Sequence, residues 1–555
     1  MPAATNWESL AAAHRERQLK AIPSQWLLPD DKLATLRNTG TPREGRLLES
    51  DVVRKSGLLC EKELEITERF TAAELLSKLS RQELTAEEVI VAFSKRASLA
   101  HQLTNCLTEI FFKEAIERAK QLDENFKTTG TLAGPLHGLP VSLKDPFIVK
   151  GQYATAGYIE FLKRPIPDTN SPLVDLLLDA GSVLYCKTNL PQSQMSADSD
   201  NNVFGRTLNP HNTRLTPGGS SGGEGALVAF RGSVLGVGTD IAGSVRIPAL
   251  CSGTYGFKPT ANRVPDANQA FYPLPISILP GVIPVAGPLA NSVDDLSMFM
   301  KTLMDRRPWR YDALALDIPW RVLDAKDEKP LVIGILPEDP TYPLHPPVRR
   351  ALETAIASLQ KAGHTIIQLP FDPQHSPGLG ARIAWNYFAL SYPNPLSIPE
   401  ALGEPLVPTI ARGFHPFSHG GFPVSRDLDV PRQLCDLNAI RDSYSRAWRD
   451  IWRDNGLDVV LGPGAVSTAV PHDTYGVPAY TVMWNVLDYP AGIIPFGTAS
   501  KDQDPQYQKA TAEFDPDYDP EACDGAPCAL QVIAPRFRDE ECLKAMQVID
   551  RDIRV

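Results

Sequence analysis

Several features that mark whole classes of protein are scarce here. Eight cysteines are spread over 555 residues. That is too sparse for a disulfide framework and fits a reducing compartment. Cys523 and Cys528 form a C-x4-C pair with no second pair nearby, so zinc is not expected there. No apolar run reaches the length of about 18 residues that a transmembrane helix needs. The opening stretch, MPAATNWESLAAAHRERQLK, lacks the apolar centre of a secretory leader. Its Glu8 and Glu16 argue against an organelle transit peptide, and the closing RDIRV is not a peroxisomal signal. Positive charge is also short. The net charge is −11, and the densest basic run is only DRRPWR at 305–310. Such a chain repels phosphate backbones, so a nucleic-acid partner is disfavoured. A cytoplasmic, globular protein without a membrane span is expected, and 43% hydrophobic residues suffice for a real core.

Proline, by contrast, is abundant at 50 residues. Much of it falls in 262–285 and 369–432, which read as long surface loops. The first ~130 residues read as helices: TAAELLSKLSRQELTAEEVIVAFSKRASLA has helical apolar spacing, with Thr85 and Glu88 as a capping box. The texture then changes. GLPVSLKDPF (138–147) and GSVLYCKTN read as buried strands, EGALVAF as a short helix and GSVLGVGTD as a strand. PLVIGILPED, HTIIQLP and LDVVLGPG add strands, and HPPVRRALETAIASLQKAG adds a helix. Alternating strands and helices predict an α/β core.

Three features carry possible chemistry. Lys144 ends an apolar strand. Neighbouring side chains on a strand face opposite ways, so Asp145 is poorly placed to neutralise it. A lysine buried without a carboxylate loses its charge and becomes a base. The competing reading is a strand-end lysine reaching to water. The second feature is TPGGSSGGEGA (216–226): nine of the 38 glycines lie between Gly218 and Gly243. So many glycines suit unusual dihedrals or a close approach of backbone to a ligand. The third is GVGTDIAGSVRIP (236–248), where a turn follows a strand. Successive N–H groups there can form an oxyanion nest, with Ser244 as a nucleophile beside it. GVGTDIAG lacks the spacing of a dinucleotide or phosphate loop. GGSSG fits the nucleophile elbow G-x-S-x-G, with His472 as the candidate base, but NPHNTRLTP before it is poor strand material.

Taken together, these segments resemble the amidase signature family. The resemblance rests on GPLHGLPVSLKD (134–145), on GGSSGGEGALVAFRGSVLGVGTDIAGSVRIPALCSGTYGFKPT (218–260), and on TNLPQSQMS, NNVFGRTLNP and GVIPVAGPLANSVDDL in order. The late YTVMWNVLDYPAGIIPFG is similar to the acetamidase-type branch, best known from fungi. The likeness spans roughly residues 60–550. It implies a single large α/β domain with a mixed central sheet covered by helices, placed at 61–555, with residues 1–60 a helical extension and 134–260 the core motif. It implies amide C–N hydrolysis through a Ser–cisSer–Lys triad with Ser244 as nucleophile, Ser220 as bridge and Lys144 as base. The Gly219–Ser220 peptide would be cis. Oxyanion donors would be the N–H groups of Ile241, Ala242, Gly243 and Ser244, with no metal or organic cofactor.

Many family members have glycine where this chain has Ala242, which is harmless only if φ there is negative. Asp240 and Arg246 are expected to brace the loop, and Cys251 to fill core. Specificity is expected from 369–432 and from side chains near Met195, Tyr475 and Trp484. The expected partner is a small amide, and a homodimer is compatible with the resemblance. An ammonia-delivering amidotransferase subunit and a non-catalytic homologue are the alternatives.

Overall fold

In the computed structural model, residues 6–37, 45–270, 281–323, 329–390, 399, 403–412, 424–425, 427–512 and 514–554 are described. Among them, eleven strands form one sheet: β1 (Leu107–Ile110), β2 (Pro140–Lys144), β3 (Val183–Thr188), β4 (Leu235–Asp240), β5 (Tyr255–Lys258), β6 (Val285–Ala290), β7 (Val332–Ile335), β8 (Thr365–Gln368), β9 (Val459–Pro463), β10 (Ala491–Thr498) and β11 (Pro527–Ile533). Their order is β1-β3-β2-β4-β6-β5-β10-β11-β9-β7-β8.

The sheet is mixed in a regular way. β3, β2 and β4 are mutually parallel at one side, and β9, β7 and β8 at the other. Antiparallel pairs join the two groups through β6, β5, β10 and β11. Parallel strands are usually covered on both faces, and β2, β3 and β4 are accordingly buried along their whole length. Helices Ala86–Thr104, Phe112–Thr129, Val293–Asp305 and Asp539–Asp552 contribute to the main apolar core.

The capping box expected at Thr85 is formed, with Glu88 N–H donating to Thr85 Oγ1 (3.1 Å) and Thr85 N–H to Glu88 Oε2 (3.1 Å). Strand β1, inside the region read as helical, was not legible. Its outer edge is covered by the helix Trp7–Ala21, whose Gln18 Oε1 accepts the Ile110 N–H (2.8 Å). The stretch 369–432 is not all loop. Its described part holds helices Pro377–Phe388 and Pro408–Arg412 and the start of Val430–Asn455. Residues 391–398, 400–402, 413–423 and 426 lie outside the described residues.

Candidate active site

Lys144 is the last residue of β2, between β3 and β4, and is fully buried. The reading in which it reaches to water is thereby excluded. Its Nζ lies 2.6 Å from Ser220 Oγ and 2.7 Å from Thr239 Oγ1. Asp145 faces away, as strand alternation requires. Its Oδ2 accepts the Thr155 and Ala156 N–H groups (2.8 and 2.7 Å), and Oδ1 lies 3.8 Å from the Lys187 ammonium. Burial pulls the Lys144 amine down to about 7, against the opposing pull of the Asp240, Asp266 and Glu224 carboxylates. A neutral amine has two N–H donors and one lone pair. Thr239 can take one donor, leaving the lone pair for the Ser220 hydroxyl. Thr239 was missed in the sequence, where GVGTD reads only as a strand end.

Ser220 enters from the glycine-serine run. The peptide Gly219–Ser220 is cis. Gly219 lies so close to its neighbours that a Cβ there would sit 2.4 Å from the Ser196 carbonyl oxygen. Ser221, next along, donates through its hydroxyl to the Thr239 carbonyl (3.3 Å) and accepts the Thr239 N–H (3.3 Å). Its N–H donates to the Ser244 carbonyl (3.1 Å). The run is thus tied to the end of β4 and to the loop carrying Ser244. Among the described residues no strand lies between Thr188 and Ser220, so none leads directly into it, which removes the nucleophile-elbow reading. His472 sits elsewhere, its Nε2 3.1 Å from the Thr213 carbonyl and its Nδ1 3.5 Å from Asp198.

Ser244 follows β4 in the turn 241–245, and its hydroxyl has no hydrogen-bond partner among the described residues. The hydroxyl line is therefore closed between Lys144 and Ser220 but not between Ser220 and Ser244. Hydroxyl rotors are free, and such contacts often tighten only with substrate bound.

Among the described residues the N–H groups of Ile241, Ala242 and Ser244 have no hydrogen-bond acceptor, whereas Gly243 N–H donates to Asp240 Oδ1 (2.9 Å). Gly243 is therefore not an uncommitted donor, which departs from the expectation for that residue. Its part is conformational. It takes the positive φ of the turn (126°), and a Cβ there would meet Thr481 Oγ1 at 2.3 Å. Ala242 has negative φ, so its methyl group is tolerated.

The brace under this turn is a buried ion pair. Arg246 Nη2 lies 3.0 Å from Asp240 Oδ1, and both side chains are fully buried. Arg246 also donates to the Thr481 carbonyl (2.9 Å), Gln531 Oε1 (2.8 Å) and Asn485 Oδ1 (2.6 Å). Burial alone would raise the Asp240 carboxyl, but Arg246 and Asn485 hold it well below the usual carboxylate range. The expected bracing role of Asp240 and Arg246 is what the geometry shows. Beside it, burial pushes Glu224 up to about 7, against hydrogen bonds from Ser142 (2.6 Å) and Thr188 (2.8 Å).

Ser244 opens on a cavity of about 30 Å³ lined by Met195, Ala197, Ile241, Ile247, Trp385 and Phe388 among others, with no charged side chain. Met195 and Pro478 lie on its wall, whereas Tyr475 and Trp484 do not. Tyr475 is buried with Leu215 and Cys251, and Trp484 packs edge-on against Trp448, ring centres 4.9 Å apart. Trp385 and Phe388, on the helix Pro377–Phe388, take the places at the cavity wall. Nothing local marked them in the sequence.

The structure thus sets a buried strand-end lysine against a serine of the glycine-serine run, with a second serine in the turn after β4. A family model, Amidase, matches residues 88–543. An amidase of Gibberella moniliformis is 42% identical over 551 residues, covering 99% of both chains. An acetamidase of Emericella nidulans is 37% identical, covering 98% of both. The solved structure of a fatty acid amide hydrolase matches with a TM-score of 0.87 at 31% identity, covering 99% of this chain and 96% of that one. The chain belongs to the amidase signature family and is a hydrolase acting on amide C–N bonds. These full-length matches favour the hydrolase over the amidotransferase-subunit alternative.

Proposed function

We propose that Lys144, Ser220 and Ser244 form the catalytic triad of an amidase for small, neutral amides with an apolar acyl group. The observation that carries this reading is the buried Lys144 amine 2.6 Å from Ser220 Oγ. A serine hydroxyl is a weak nucleophile until a base takes its proton. Lys144 takes the proton of Ser220, and Ser220 that of Ser244. Ser244 Oγ then bonds to the amide carbon. The N–H groups of Ile241, Ala242 and Ser244 are the proposed donors to the resulting oxyanion, set rigidly by the Asp240–Arg246 brace. As the C–N bond breaks, the proton held by Lys144 returns through Ser220 to the leaving amine. Water, deprotonated by the same path, then attacks the acyl-enzyme, releasing the acid and restoring Ser244.

The substrate reading rests on the cavity. Its walls, among the described residues, are mostly apolar and uncharged. The Emericella nidulans relative is an acetamidase, which fits an acetamide-sized acyl group. A cytoplasmic site of action fits the cysteines, all eight of which are free. The test is ammonia release from an amide series running from acetamide through aryl to long-chain amides, with Lys144→Ala and Ser244→Ala in parallel. Best turnover on a long-chain or charged amide would contradict the substrate reading. Turnover by Ser244→Ala would contradict the triad.

A further inference from the structure

A relay through Ser220 needs its hydroxyl held in place, yet its own run has little side-chain bulk with which to hold anything. We propose that Ser199, Thr216 and Asp198 form a clamp that positions Ser220, with Asp198 as its anchor; this rests on the bridging role assigned to Ser220 above. The bonds converge on both sides of that residue. Ser199 Oγ donates to the Gly218 carbonyl (3.0 Å) and accepts the Gly222 N–H (3.1 Å), spanning Ser220. Thr216 Oγ1 accepts the Gly218 N–H (3.0 Å) and donates to Asp198 Oδ1 (2.7 Å). Asp198 Oδ1 also accepts the Ser199 N–H (2.9 Å), and Oδ2 accepts the Asp473 N–H (2.9 Å).

One carboxylate thus joins three stretches distant in sequence: 198–199, 216–222 and 472–473. All three clamp side chains are fully buried. Burial would raise the Asp198 carboxyl, but His472, the Asp473 N–H and Thr216 together lower it. It is an ionised, saturated acceptor. The backbone fits the same picture, since a Cβ on Gly219 would lie 2.8 Å from the Asp198 nitrogen. None of the three residues lines the cavity beside Ser244. They touch no reacting atom and act through the run that carries Ser220.

This separation fixes what loosening the clamp does. Substrate binding is spared, while the proton path is misplaced. A shift of about 1 Å in such a constellation costs on the order of 100-fold in rate. Thr216→Val keeps the shape of the side chain and removes the hydroxyl, and Thr216→Ser keeps the hydroxyl. The account expects Thr216→Val to lower kcat by about 10- to 100-fold with KM within about threefold of wild type. Thr216→Ser is expected to retain most of kcat. Asp198→Asn should fall at least as far as Thr216→Val, because its single amide oxygen cannot accept both from Thr216 and Ser199 on one side and from the Asp473 N–H on the other.

Fluorophosphonate titration separates positioning from folding. A misplaced relay slows the labelling rate constant of Ser244 at full amplitude. A merely structural defect reduces the amplitude and leaves the rate constant alone. Should Asp198→Asn fail to fold, Thr216→Val against Thr216→Ser still decides. An unchanged labelling rate constant in Thr216→Val, or an equal loss in Thr216→Ser, overturns the clamp. Turnover by Ser244→Ala, assayed alongside, would instead overturn the active-site assignment and the clamp with it.

Discussion

In the proposed mechanism Lys144 is the base because it is buried, and burial has a signature in pH. The amine must be neutral to act as a base. Its value, brought down to about 7, places the rise of kcat/KM with pH near pH 7, with a plateau above. Burial also raises Glu224 to about 7, and its charge opposes the lowering of the Lys144 amine. Lys144→Ala should lower kcat/KM by about a thousandfold or more and abolish the rise, as seen in a pH–rate profile. Ser220→Ala should retain more activity than Ser244→Ala, because water can bridge Lys144 to Ser244 but nothing replaces the nucleophile. The turn residues differ just as sharply. Gly243→Ala forces a methyl into the Thr481 hydroxyl at positive φ and should destabilise by roughly 1–3 kcal/mol or more. Ala242→Gly should stay within about 1 kcal/mol of wild type in urea unfolding.

At the scale of elements, the turn after β4 is held from far along the chain. Arg246 meets Thr481 and Asn485 of the helix Ala479–Val486, and Gln531 of β11. Removing the guanidinium would strand the buried Asp240 carboxylate. Arg246→Met should therefore cost about 3–5 kcal/mol, measured by denaturant unfolding, with loss of activity. Sequence patterns reveal one half of such a site and not the other. Lys144, Ser220 and Ser244 stand in motifs dense in glycine, where the backbone constraint leaves a local trace. Gln531, Asn485, Thr239 and the clamp residues act through tertiary contacts and leave none. Strands β2, β3, β4, β7, β8 and β9 read as strands because they are apolar runs bounded by Gly and Pro. The antiparallel middle did not. VAGPLA (β6) and AGIIPFGT (β10) carry glycine and proline inside the strand, which read as breaks. The pairing of β10 with β5, Ala491 with Lys258 for example, joins residues far apart in the chain and has no local signal.

At the scale of the molecule, the sheet has two ends, and one is covered by the helix Trp7–Ala21. Glu109 of β1 is fully buried, with Arg17 Nη2 at 2.7 Å and His14 Nε2 at 2.8 Å. Taking the helix away would leave a buried carboxylate unpaired and the Ile110 N–H without Gln18. A chain lacking residues 1–22 should lose stability and self-associate through the bared edge, a change that thermal unfolding and light scattering would detect. The same network reaches inward. Lys187 Nζ donates to the Tyr153 carbonyl (2.5 Å) and faces Asp145, the residue after Lys144.

The account turns on which serine becomes acylated and on what activates it. The most direct measurement is peptide mapping of the fluorophosphonate adduct in the wild type and in Lys144→Ala, with labelling rates for both. The account predicts a single adduct on Ser244, formed at least about a hundredfold more slowly once Lys144 is gone. An adduct on Ser220 or Ser221, or unchanged labelling of Ser244 without Lys144, would contradict it.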